Sequence, residues 1–208
     1  MNFFGHAVVA GWKDERPGNL LGSMLPDFEG MLGIRLLEVR DPEMQRGIEL
    51  HHRTDDVFHR TPSFLAFCAY ALDELSLRGV RRGTARAIGH IGTELFLDGW
   101  LARERAHVDK YLSALAVEVD GALRWEDEGH AFSALHRRLA SWGAPRDYTE
   151  PSFVLARLFD ALRRRPALEL LEEHSSSVAA FLPSLRERVE SGAAELLLEL
   201  QDGLGFDH

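Results

Sequence analysis

The chain has 208 residues, 45% of them hydrophobic and 27% charged, with a formal net charge of −9. That length can bury a substantial core, and no window approaches the roughly 20 apolar residues that a membrane-spanning helix requires. With 33 acidic residues against 24 basic ones, the balance argues against sequence-independent binding to duplex nucleic acid, which draws on a phosphate-neutralising basic surface.

The N-terminal stretch Met1-Asn2-Phe3-Phe4-Gly5-His6 has neither the charged segment nor the small-residue cleavage site of a secretory leader. A lone cysteine, Cys68, rules out an internal disulfide framework. A cytoplasmic protein is expected, with Cys68 as a buried core thiol. His6 occupies an apolar, helix-like segment, and Asp27 follows Leu25-Pro26. Arg46 to Arg60 is predicted helical: Ile48, His52, Asp55 and His59 share one stripe, while His51, Asp55 and Phe58 share its neighbour. A buried helix is expected from Phe64 to Leu75, with Thr61 as cap and Pro62 just before it. From Thr84 to about Ala106, Ile88, Ile91, Leu95, Leu97, Trp100 and Leu101 recur at helical intervals.

Farther on, Ala131 to Trp142, Ser152 to Arg163 and Leu168 to Leu200 carry the same spacing, with Pro183 as a break or kink in the last. Gly143-Ala144-Pro145 and Pro151 punctuate the middle of the chain, and Asp202 to His208 reads as a frayed tail. No alternating strand pattern exceeds about four residues. The expected architecture is all-α, a single-domain helical bundle over residues 1–208. Arginines gather at 78, 81, 82 and 86 and again at 163, 164 and 165. Each run reads most simply as a solvated helix face or end.

Two clusters carry candidate chemistry. The first is His51-His52-Arg53-Thr54-Asp55-Asp56 with His59; the second is His90, Glu94 and Asp98 at four-residue spacing, which stacks three ligating side chains on one helix face. Mixed imidazole and carboxylate donors suit Zn, Mn or Fe better than Mg. Simpler explanations stand beside this one. Adjacent His and Asp on a surface helix make local hydrogen bonds, Glu94 can pair with a buried Arg, and a His on an apolar face, such as His6, is ordinarily a satisfied core residue. Arg53 can clamp a phosphate with its planar fork or pair with Glu49 or Asp56.

Taken in order, Met1-Asn2-Phe3-x-x-His6, Gly18-Asn19-Leu20-Leu21 leading to Asp27-Phe28, Gly47-Ile48-x-Leu50-His51-x-Arg53-x-Asp55, and an acidic residue four before Asp98 resemble the acyl carrier protein phosphodiesterases. The likeness covers roughly the first half of the chain. The resemblance implies an HD-domain-like, all-helical, metal-dependent phosphohydrolase that releases 4′-phosphopantetheine from a carrier-protein serine, with Mn or a similar divalent ion. It further implies ligand or catalytic roles for His6, Asp27, His51, Asp55 and Asp98, supported by Asn19 and Arg53. The chain departs from the pattern at His59 and Glu94, which stand where the family has Asp, and at Gly99, where an Asp-His pair is usual. His59 and His90 are then additions able to restore lost ligands.

The expected function is therefore metal-assisted phosphodiester hydrolysis. One ion is held by His51, Asp55 and Asp98 with His6; a second, about 3.5–4 Å away, uses Glu94, His59 or His90. Catalytic roles are expected for Asp55, Arg53 and Glu94, with Mn as the ion and Fe or Zn as alternatives. The partner is an acyl carrier protein docked on the 78–86 arginines. Two rival expectations are hydrolysis of a small phosphoester or nucleotide, and an inactive helical binding protein.

Overall fold

Proline sets the start of four helices. In the computed structural model, which describes residues 1–163 and 165–206, α2 (Pro17–Leu32), α3 (Pro42–Phe58), α4 (Pro62–Leu77) and α8 (Pro151–Leu162) all begin on one. There its fixed φ suits the first turn and its missing N–H leaves no donor unpaired. Asp41 caps α3, its Oδ1 accepting from the Glu43 and Met44 amides at 2.7 and 3.0 Å. Thr61 caps α4 by accepting from the Phe64 amide. The remaining helices are α1 (Phe3–Ala10), α5 (Arg82–Leu101), α6 (Arg105–Leu115), α7 (His130–Trp142) and α9 (Ser175–Leu204). Two short 3-10 turns, Arg146–Thr149 and Glu172–His174, complete the helical set.

The chain is thus mostly helical, and two short strands are the exception. β1 (Leu36–Val39) and β2 (Leu123–Trp125) pair antiparallel, with Leu36 opposite Trp125 and Val39 opposite Leu123. At three and four residues they are too short to show alternation. Among the described residues no helix is long and apolar enough to cross a membrane.

The fold divides into two compact units. The first comprises Met1–Val57, Leu101–Pro145 and the chain from Leu204. Here α1, buried along its whole length, packs on α2 and α6, and α2 also contacts α6 and α7. Phe3, Phe28, Phe132 and Trp125 form a continuous aromatic row, ending in a stacked Phe132–Trp125 pair at 5.0 Å. Two glycines set the closest helix approach. A Cβ on Gly22 of α2 would meet the Met44 carbonyl oxygen of α3 at 2.2 Å, and one on Gly47 of α3 would meet the Asn19 carbonyl oxygen of α2 at the same distance.

The second unit comprises Phe58–Trp100 and Arg146–Gly203. In it α4 lies against α5, where Gly89 abuts Ala71 and Cys68, and against α9, where Phe67 covers Gly192 and Tyr70 packs on Phe181.

Several sequence expectations need correction. The helix expected to reach Ala106 ends at Leu101, and α6 follows as a separate helix. The α4 segment is amphipathic, burying Phe64, Phe67, Ala71 and Leu75 while Leu65 faces solvent and Cys68 is half-buried. The helix expected from Leu168 begins at Ser175, and it crosses Pro183 without a break. Leu204 is buried as its last residue and Phe206 packs edge-on against Trp12, so the stretch from Asp202 is no frayed tail through Phe206. Arg164, Asp207 and His208 lie outside the described residues.

Candidate metal centres

The first unit brings together His6 from α1, Asp27 from α2 and His51 from α3, each offering a ligating atom within 4.8 Å of the others. The Gly22–Gly47 contact makes this possible by letting the α2 and α3 backbones touch. The same proximity orients His51, whose Nδ1 lies 2.9 Å from the Ser23 carbonyl oxygen. A carbonyl can only accept, so Nδ1 carries the proton and Nε2 presents its lone pair, the tautomer that a metal ligand needs. His6 and His51 stack at 3.7 Å and are almost fully buried.

Asp55, one turn beyond His51, closes the group from another side. Its Oδ1 lies 3.1 Å from His6 Nε2 and accepts from the Met1 ammonium at 2.7 Å, while its Oδ2 is 3.8 Å from His51 Nε2. Burial would raise the Asp55 carboxyl, but the His6 hydrogen bond and the ammonium charge outweigh it and hold the group well below the usual carboxylate range. His51 is pushed down to about 3 by burial and then by the neighbouring His6. At neutral pH the centre therefore holds a neutral His51, the protonation state that coordination requires, beside an ionised Asp55.

In the same unit, on the Arg46–Arg53 face of α3, a cavity of about 540 Å³ is lined by Lys13, Asp14, Arg16, Asn19, Arg46, Glu49, Leu50 and Arg53. Arg16 is tied to Asp14 and, at 3.0 Å, to Glu43. Arg53 donates to the Leu204 carbonyl at 3.3 Å. A second cavity, about 460 Å³, shares Lys13 and Arg53 and is walled by Trp12 and Phe206. Four cations against two carboxylates make the first cavity suited to an anion.

In the second unit, His59, His90 and Glu94 form another three-ligand group. Glu94 Oε1 lies 3.1 Å from the Nε2 of each histidine, and the two rings stack at 4.8 Å. Burial would raise the Glu94 carboxyl, yet the two imidazole hydrogen bonds help hold it well below its usual range. Because α3 ends at Phe58, His59 sits in the following turn and not on the expected α3 stripe.

Of the eight sequence-predicted ligands, six fall into these two groups; Asp55 belongs to neither triplet, although it contacts the first through His6. Asp98 also belongs to neither. It is fully buried on α5, next in sequence to Gly99, whose Cβ would meet the Tyr148 backbone. In the arginine run, Arg78 pairs with Glu74 and Arg81 donates to the Glu169 carbonyl. Sequence reasoning missed the Ser23 carbonyl, a backbone group with no side-chain signature, and the role of Gly22. A glycine on each of two neighbouring helices was the available signal for the latter.

In comparison with known proteins, no family model matches this chain, and no curated protein or solved structure matches it.

Proposed function

We propose that this protein is a metal-dependent phosphoester hydrolase with its centre at His6, Asp27 and His51. One observation carries the reading: three helices deliver two imidazoles and a carboxylate to one buried point, with the His51 tautomer fixed by Ser23. The donor set fits Mn, Fe or Zn. These residues would hold a divalent ion, which would supply charge to offset the phosphoryl oxygens and would acidify a water toward a pKa of about 7. Asp55 keeps a negative charge beside His6 and would hold that imidazole in place at the centre. Arg53, with Lys13 and Arg46 in the same cavity wall, binds the phosphate in two-point fashion.

The acyl carrier protein phosphodiesterase likeness and an HD-domain-like helix arrangement belong to this proposal, and so does a cytoplasmic setting. The leading substrate is accordingly the phosphodiester that joins 4′-phosphopantetheine to a carrier protein, docked on basic residues such as Arg82 and Arg86. A small phosphoester or nucleotide is the second reading, favoured by the volume and cationic wall of the first cavity.

The test is hydrolysis by metal-stripped protein reloaded with Mn, Fe or Zn. Holo carrier protein is assayed against chromogenic phosphomono- and diesters. Release of the prosthetic arm supports the first reading, and turnover of small esters alone supports the second. No hydrolysis with any ion defeats both.

A further inference from the structure

Glu94 and His90 face each other one turn apart on α5, and His59 reaches the same carboxylate oxygen from the turn that follows α3. Both Nε2 atoms lie 3.1 Å from Glu94 Oε1, and all three ligating atoms fall within 4.8 Å of one another. A tetrahedral ion with N and O ligands at 2.0–2.1 Å has ligand-to-ligand edges of about 3.3–3.4 Å. The group is therefore within a few tenths of an ångström of such a shell along two edges. We infer that His59, His90 and Glu94 form a second metal site, complete within its own unit, that takes a Zn-like transition ion and leaves one coordination position open.

The surroundings support the assignment. Phe64, nearly fully buried and fixed by the Thr61 cap, meets His59 and His90 edge-on at 5.1 and 5.2 Å. It also packs on Phe58 at 4.7 Å, so the rings are oriented before any ion arrives. The side chains of His59 and His90 are 31% and 44% exposed, whereas that of Glu94 is 13% exposed. The carboxylate is thus held from within while the imidazoles open onto solvent. This pattern gives an ion a route in and leaves room for water or an external ligand as the fourth group. A carboxylate only accepts, so each Nε2 carries its proton in the metal-free protein. On coordination the ion takes the place of that proton, which passes through solvent to Nδ1 of a neutral ring or is released from a doubly protonated one, leaving one proton on Nδ1.

This site is independent of the hydrolytic reading, and its test is a count of bound ions. The full-length chain is stripped with chelator and titrated with Zn alone, in the parent and in His90→Gln, His59→Gln and His51→Gln. His90→Gln and His59→Gln are expected to lose one equivalent or to bind it more than about 100-fold more weakly, because even outer partners of ligands change affinity 10- to 100-fold. His51→Gln is expected to keep that equivalent. Circular dichroism of the stripped variants separates lost ligands from lost fold. Unchanged Zn uptake in both His90→Gln and His59→Gln overturns the site. Loss of the same equivalent in His51→Gln overturns its self-sufficiency. If the parent binds only one equivalent and His90→Gln removes it, this site stands and the first centre fails.

Discussion

Gly22 and Gly47 touch where α2 and α3 cross: a Cβ on Gly47 would lie 2.8 Å from the Gly22 carbonyl carbon and 2.6 Å from the Ser23 amide nitrogen. No side chain fits there, and neither neighbour is a flexible tip able to move aside. Gly47→Ala therefore forces the helices apart, at about 1–3 kcal/mol or more. Because His51 is oriented by the Ser23 carbonyl across the same contact, the variant is also expected to weaken metal binding at His6, Asp27 and His51. Urea denaturation gives the first quantity and metal titration the second. Parent-like values for both would show that the crossing does not position the centre.

Asp27 is the only carboxylate in the first ligand group. Asp27→Asn keeps its shape and removes its charge, so the metal-free protein should retain its helix content and thermal midpoint. Metal-dependent hydrolysis should fall by at least about 100-fold, since charge on the ligand set is what holds a divalent ion. An active variant with unchanged metal affinity would remove Asp27 from the centre.

Much of the helical layout was legible because its signals are local. Thr61 before Pro62 and the recurrence of Ile88, Leu95 and Leu101 each need only a short window of chain. Spacing also found His90 and Glu94, which meet as i,i+4 neighbours. What stayed hidden depends on distant chain segments. β1 and β2 pair across more than eighty residues with no pattern of their own. The grouping of His59 with Glu94 was foreseen, but α3 stops one residue before His59, and that helix end has no signal on the stripe. For His6 the local pattern alone gives an ordinary core residue; the family resemblance marked it as a ligand, and its stacking on His51 depends on a contact between distant segments.

Arg53 lines two cavities of the first unit and donates one hydrogen bond to the Leu204 carbonyl. Its removal should act on substrate more than on stability. For Arg53→Ala, kcat/KM toward a phosphoester is expected to drop about 10- to 100-fold, the equivalent of one charged hydrogen bond at roughly 1.5–3 kcal/mol. Arg53→Lys should recover only part of this, because a point charge cannot match two oxygens at once. Steady-state kinetics of the three proteins decides it: equal kcat/KM values would move the phosphate site away from Arg53.

His136, half-buried on α7, stacks on Phe132 at 5.3 Å, and its Nε2 is buried with no hydrogen-bond partner among the described residues. Burial lowers its pKa from the ordinary value near 6.5. Above that pH the ring is neutral in both folded and unfolded chains, so its protonation makes no difference to stability. As the pH falls below about 6.5 the unfolded chain gains a proton that the folded one resists, so stability declines with acidification. His136→Phe keeps the stacking surface and cannot titrate. Between pH 7 and 5 its denaturation midpoint should therefore fall less steeply than the parent's, while His51 contributes equally to both. At pH 7 the variant should be no less stable, because an unsatisfied buried nitrogen disappears. Parallel pH profiles for the two proteins would mean that His136 is protonated as easily in the fold as in water.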